Sequence, residues 1–141
     1  MKSQHINQAI ILLAHGSQKK NAKRDLALIK RKLSNYLKND SFILYNAFLQ
    51  FSKPTLESCL GKILNSKFIT KNLKIIILPV FVSHGRHTSF DIPKIINKMK
   101  TIYKNPNIKV ALPLGSDDLL VRILYKRYKE TISRHKLIKH G

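Results

Sequence analysis

Apolar residues fall into four short, nearly unbroken runs, and each run is followed by a segment in which they recur at helical spacing. The first run, Ala9 to Ala14, leads into KKNAKRDLALIKRKLSNYL, where Leu26, Ile29, Leu33 and Leu37 predict an amphipathic helix. The second, SFILYNAFLQF from Ser41, leads into SKPTLESCLGKIL. There Pro54 suits a first helical turn, and Leu56, Leu60, Ile63 and Leu64 form the stripe. The third, LKIIILPVFV from Leu73, passes through a glycine turn into DIPKIINKMKTIY, with Asp91 as the expected cap and Pro93 just inside the helix. The fourth, IKVALPL from Ile108, passes through GSDD into LLVRILYKRYKETI, capped by Ser116 or Asp117.

Runs without apolar–polar alternation predict strands covered on both faces, as in a parallel sheet. The order βαβαβαβα then predicts a three-layer α/β/α fold with a four-stranded, mainly parallel sheet. Such sheets bind ligands beyond the carboxyl ends of their strands. His15, Gln50, His84 and His87 all fall at or just past those ends.

Length adds one expectation: 141 residues make a single domain over 1–141, with a basic tail from about 130 to 141. No linker, repeat or low-complexity stretch interrupts it. The apolar runs are too short to cross a bilayer, and MKSQHINQ has no apolar core of a signal peptide. Cys59 is the only cysteine, so no internal disulfide can form, and a reducing cytoplasm is the expected compartment. The charge of +20, from 27 Lys+Arg against 7 Asp+Glu, favours anionic partners. The basic residues are scattered rather than gathered in a stripe with interleaved aromatics, and most are lysine, as an AT-rich genome writes onto any surface. That distribution argues against nucleic acid and leaves room for a polyanionic small molecule.

The chemistry narrows by residue type. HGSQKKNAK carries neither G-x-G-x-x-G nor the P-loop pattern, so a phosphate cradle is weakly supported. Ser17 stands near His15 but lacks a G-x-S-x-G elbow, and Cys59 sits on the apolar side of its helix, as a core residue does. Imidazoles at separate strand ends suit borderline divalent ions such as Fe, Co, Ni or Zn at about 2.0–2.1 Å. Without thiolates they leave coordination positions open, which fits catalysis or delivery better than a structural metal.

LLAHGS, AFLQFSKPTL, LPVFVSHGRHTSFDIP and PLGSDDLLVRIL stand at the four strand ends in the order found in the short sirohydrochlorin chelatases, and the chain resembles that family from about Ile10 to Tyr128. These class II chelatases insert Co²⁺, Fe²⁺ or Ni²⁺ into a reduced tetrapyrrole in cobalamin, sirohaem or nickel-cofactor synthesis. The resemblance implies that His15 and His87 are metal-binding and catalytic. It implies a carboxylate after AFL, where this chain has Gln50, a neutral carbonyl donor that accepts no proton near neutral pH. It places His84 as a group that orients or binds substrate carboxylates. It also implies a homodimer, because longer relatives fuse two such lobes around the flat macrocycle.

Insertion displaces two pyrrole N–H protons, so ligands that hold an ion loosely and accept protons are required, and neutral imidazole does both. The macrocycle's peripheral carboxylates call for basic and polar partners. Arg86 and Lys53 are the expected cationic ones, and Ser17 is a further substrate-binding candidate. The divalent ion is then a substrate, and no cofactor is expected to stay bound. Two other readings follow from particular features. Gln50 allows a metal- or tetrapyrrole-binding protein without turnover, and the charge alone motivates a nucleic-acid-binding module.

Overall fold

The structure, a computed structural model, describes residues 6–37, 41–67, 69–83 and 85–138; for 69–71, 86, 87 and 135–138 the description is of the main chain. Four strands and four helices alternate: β1 (Ile6–Ala14), α1 (Lys20–Ser34), β2 (Phe42–Phe48), α2 (Leu56–Leu64), β3 (Ile69–Pro79), α3 (Arg86–Ile102), β4 (Asn107–Val110) and α4 (Asp118–Ile138). The strands form one sheet in the order β2-β1-β3-β4, with every pair parallel. This is the expected α/β fold, and the strand order reverses between β1 and β3. That reversal opens the crevice in which sheets of this kind bind ligands.

Five consecutive residues, Ala9 to Leu13, are buried in β1, as a strand covered on both faces requires. Ala9, Ile11 and Leu13 join Ile75 and Ile77 of β3 in a core roofed by α2 and α3. Leu12 faces the other way and packs with Phe48 under Leu26 of α1. The α2 stripe holds as predicted, with Leu56, Leu60 and Ile63 buried. Each such side chain contributes roughly 1.5–3 kcal/mol by leaving water. An ion pair between Lys98 of α3 and Glu57 of α2, and an Asn65 amide donating to Tyr103 Oη at 2.8 Å, link the two helices on that side.

Several element boundaries differ from the sequence expectation. Helix α3 begins at Arg86 behind Gly85, not at Asp91, so Asp91 lies in its second turn and Pro93 is interior. The proline costs the amide bond to the carbonyl four residues back. Burial of Ile92, Ile96 and Met99 along the same helix outweighs that cost. Helix α2 is capped by Thr55, whose hydroxyl accepts from Ser58 N at 3.2 Å, which leaves Pro54 outside the helix. Helix α1 ends at Ser34, short of Leu37, and Leu26 is its only buried residue, with Ile29 42 % exposed. Asp117 does cap α4, its Oδ1 accepting from Leu119 N at 2.8 Å. The basic segment from about 130 continues α4 to Ile138.

Cys59 lies in the core at 3 % exposure. Burial pushes its thiol up to about 11, partly offset by Lys62. Burial also raises the neighbouring Tyr45 phenol, and Cys59 adds to that shift. Both groups bind their protons more tightly folded than unfolded. Their contribution is therefore intact below the unfolded thiol range, about 8.5, and is lost as pH climbs towards 11. Urea midpoints should decline over that interval, and Cys59→Ala should flatten the decline. A thiol-reactive disulfide reagent should label native Cys59 at pH 8 only as fast as the chain unfolds.

Candidate functional site

The site starts where β1 leaves the sheet. Pairing continues past the strand ends: Leu49 N donates to Ala14 O at 3.0 Å, Gln50 N to His15 O at 2.9 Å and Val80 N to Leu13 O at 2.7 Å. Three strand ends are thus laced together at the switch point. His15 is half-buried there, and its imidazole lies 4.6 Å from the Phe81 ring, centroid to centroid, tilted by 36°. Phe81, buried just past β3, makes one wall for the histidine. Among the described residues the ring nitrogens of His15, one donor and one acceptor in the neutral imidazole, have no hydrogen-bond partner.

Gly16 permits this approach. It sits at φ +94°, and a Cβ there would lie 1.7 Å from the Gln50 carbonyl oxygen. Only a residue without a side chain lets the two loops close. The chain after Gln50 then turns sharply: Phe51 adopts φ 61°, and Ser52 N donates to Gln50 O at 2.8 Å. Ser52 is buried and fastens this turn to the one after β1, its hydroxyl donating to Ser17 O at 2.8 Å and accepting from Ser17 N at 3.3 Å. Ser17 in turn accepts from Lys19 N at 3.1 Å through its own hydroxyl. Its visible work is to shape the loop.

The other predicted residues distribute as follows. Gln50 is joined to His15 through the main chain, with its carboxamide exposed. Lys53 is exposed on the same β2–α2 loop. Arg86 and His87 are the first two residues of α3, on the same side of the sheet as the strand ends. Their main chain is held by Gly85, whose carbonyl accepts from the Thr88 hydroxyl at 2.9 Å and the Ser89 hydroxyl at 3.1 Å. His84 lies outside the described residues, as does the His87 ring. Among the described residues no three His, Cys, Asp or Glu side chains are grouped to hold a metal ion.

Three features of the site were not read from the sequence. One is the Phe81 wall, hidden inside an apolar run. Another is the buried Ser52 staple. The third is a rim of exposed apolar side chains on the carboxyl-end loops: Phe51 after β2, Val82 after β3 and Leu112 after β4, between 53 % and 89 % exposed. The loops after β1, β2 and β3 carry no carboxylate between residues 15 and 19, 49 and 55, or 80 and 85. Lysines at 19 and 53 stand in them instead. The rim is therefore apolar in part, with lysines on the loops after β1 and β2, Asp117 and Asp118 at the end of the loop after β4, and the His15 imidazole at its base. None of the described helices is long and apolar enough to cross a membrane.

The CbiX family model matches residues 9–131. The sirohydrochlorin cobaltochelatase of Saccharolobus islandicus (strain L.S.2.15 / Lassen #1) is 30% identical over 133 residues, covering 89% of this chain and 97% of that protein. A protein of the same name from Methanococcus aeolicus is 34% identical over 89 residues, 63% of this chain and 58% of that protein. Among solved structures, a CbiX protein described as one of cobalamin biosynthesis, from Marinobacter aquaeolei VT8, superposes with a TM-score of 0.69 at 22% identity, over 90% of this chain and 98% of that one. The sirohydrochlorin chelatase SirB from Bacillus subtilis subspecies spizizenii, in complex with cobalt, superposes with a TM-score of 0.70 at 25% identity. This chain is covered to 88% in that match and spans 50% of SirB's length. With a match reaching from the middle of β1 well into α4, this chain belongs to the CbiX family.

Proposed function

We propose that this chain is a sirohydrochlorin metal chelatase, which inserts a divalent ion, Co²⁺ or Fe²⁺ with Ni²⁺ as an alternative, into the reduced macrocycle of cobalamin or sirohaem synthesis. The observation that carries the reading is its 30% identity along 97% of the sirohydrochlorin cobaltochelatase of Saccharolobus islandicus. The reaction balances as M²⁺ plus the free macrocycle giving the metallated macrocycle and two protons.

His15 and His87 hold the entering ion and accept the two pyrrole N–H protons as ring nitrogens replace imidazole. Two neutral ligands bind weakly enough for four ring nitrogens to win the ion. The macrocycle lies across the strand-end crevice with its flat face on Phe51, Val82 and Leu112, where burial of apolar area holds it. Its carboxylates meet Arg86, Lys53, Ser17 and His84. The ion enters and leaves as substrate, with no cofactor permanently bound. The working unit is a homodimer in the cytoplasm, since one lobe gives a flat ligand only one wall.

The test follows the tetrapyrrole absorption spectrum with Co²⁺, Fe²⁺ or Ni²⁺ and stoichiometric protein. Insertion faster than the protein-free rate is the expected result. Tight binding of ion or macrocycle with no acceleration for any metal would favour a carrier instead.

Gln50→Glu probes the ion's path. Gln50 is exposed, so a carboxylate at about 4 Å from a divalent ion is worth roughly 2 kcal/mol in water, or about 30-fold in affinity. The Co²⁺ concentration at half-maximal rate should fall by about that factor. An unchanged value would remove residue 50 from the path.

A further inference from the structure

Helix α4 is amphipathic yet uncovered. Leu120, Val121, Leu124, Tyr125, Tyr128 and Ile132 recur along one arc, at the spacing of a helix that packs against something. From Leu119 to Arg134 only Leu120 and Glu130 are even partly covered; Leu124 is 63 % exposed, Tyr125 61 % and Tyr128 60 %. The cationic residues Arg122, Lys126 and Lys129 occupy the opposite arc. Beside the foot of the helix, Leu112 and Leu114 are exposed as well, and Pro113, Leu119 and Ile123 line an apolar hollow of about 380 Å³.

The same chain shows a deficit of cover elsewhere. The face of the sheet that carries α1 has Leu26 over β1 and β2. On β3, Ile76 and Leu78 point to that face by alternation with the buried Ile75 and Ile77, and both remain half-covered. Ile29 of α1 is likewise exposed. A parallel strand is ordinarily covered on both faces. One helix too few over β3 and one helix with nothing beneath it complement each other between two copies.

We infer that the apolar arc of α4 is the surface on which a second copy of this chain seats, meeting α4 and the thinly covered strip of β3 beside α1. Val121, Leu124, Tyr125, Tyr128 and Ile132, 39 % to 63 % exposed, present on the order of 600–700 Å² together with Leu114, approaching the ~800 Å² per partner of a stable interface. The lysines and arginines on the opposite arc stay in water, where salt screens the repulsion between two chains of like charge. The contact is self-complementary and closes as a two-fold dimer. The inference draws on the dimer proposed above for its stoichiometry and assigns the surface.

Sedimentation equilibrium of the full chain tests it, with single substitutions at exposed positions that leave the core intact. Wild type should be dimeric at micromolar concentration. Leu124→Glu and Tyr128→Glu should each raise the dissociation constant at least ~30-fold, as loss of a central interface anchor does. Lys129→Glu, the same helix with the change on its polar arc, should stay within about threefold. A wild-type chain that is monomeric at ~100 µM, or a dimer that tolerates both α4 substitutions, overturns the assignment. Metal insertion is read separately: a dimer that tracks α4 in a protein without chelatase activity keeps this inference and discards the reaction. An active monomer does the reverse.

Discussion

His15→Ala should lower the protein-dependent rate of Co²⁺ insertion into sirohydrochlorin by about 100-fold or more, the scale on which a positioned proton acceptor accelerates a reaction. His87→Ala should do the same. The double variant should be little worse than either alone, because two ligands that grip one ion act as a unit. The His15 ring is half-buried against Phe81, and its removal takes away one ring contact without opening the main core. Stability should therefore change by no more than about 1 kcal/mol, typical of a site outside the core. Urea denaturation beside the spectral assay separates lost chemistry from lost fold. Insertion at the parental rate in both single variants would remove imidazole from the mechanism.

Gly16→Ala should be the most damaging single methyl group that can be added near the site. The left-handed backbone at φ +94° costs a non-glycine residue about 1–3 kcal/mol. The new Cβ would in addition meet the Gln50 carbonyl at 1.7 Å, which main-chain atoms cannot yield cheaply. The β1–α1 and β2–α2 loops must then separate, breaking the Gln50 N to His15 O bond and loosening the Ser52 staple. A loss of at least about 3 kcal/mol in unfolding free energy is expected, together with loss of insertion activity. A soluble Gly16→Ala protein with parental urea midpoint and rate would show that the loops part without consequence. By contrast, Gly85→Ala should be mild, because a Cβ there meets open space.

Much of the fold was legible because burial on both faces leaves a plain trace. Ala9 to Leu13 and Leu73 to Leu78 read as strands without any alternation, and these became the two central strands. The stripe in α2 was equally plain. The start of α3 misled because Asp91 and Pro93 carry the local signals of a helix entrance, whereas the actual entrance is built by main-chain geometry at Gly85 and by hydroxyls folding back onto its carbonyl. Local signals lose to burial of Ile92, Ile96 and Met99. At the site, His15 was legible as a strand-end imidazole. Its Phe81 wall was not, since an aromatic inside an apolar run reads as core. Nor was the Ser52 staple, which joins residues 35 apart in sequence. In α4 the periodicity foretold a packed helix, but periodicity says only that a face seeks cover, never which molecule supplies it.

The lacing of the strand ends bears on how an ion could be passed on. With its carbonyl bonded to Gln50, its neighbour Gly16 pressed against the next loop and Leu13 bonded to Val80, residue 15 has almost no main-chain freedom. Whatever swing the imidazole has comes from its own two torsions, and Phe81 blocks one side. A cation carried on that ring travels a few ångströms at most, so the acceptor has to be brought down to it rather than the protein reaching up.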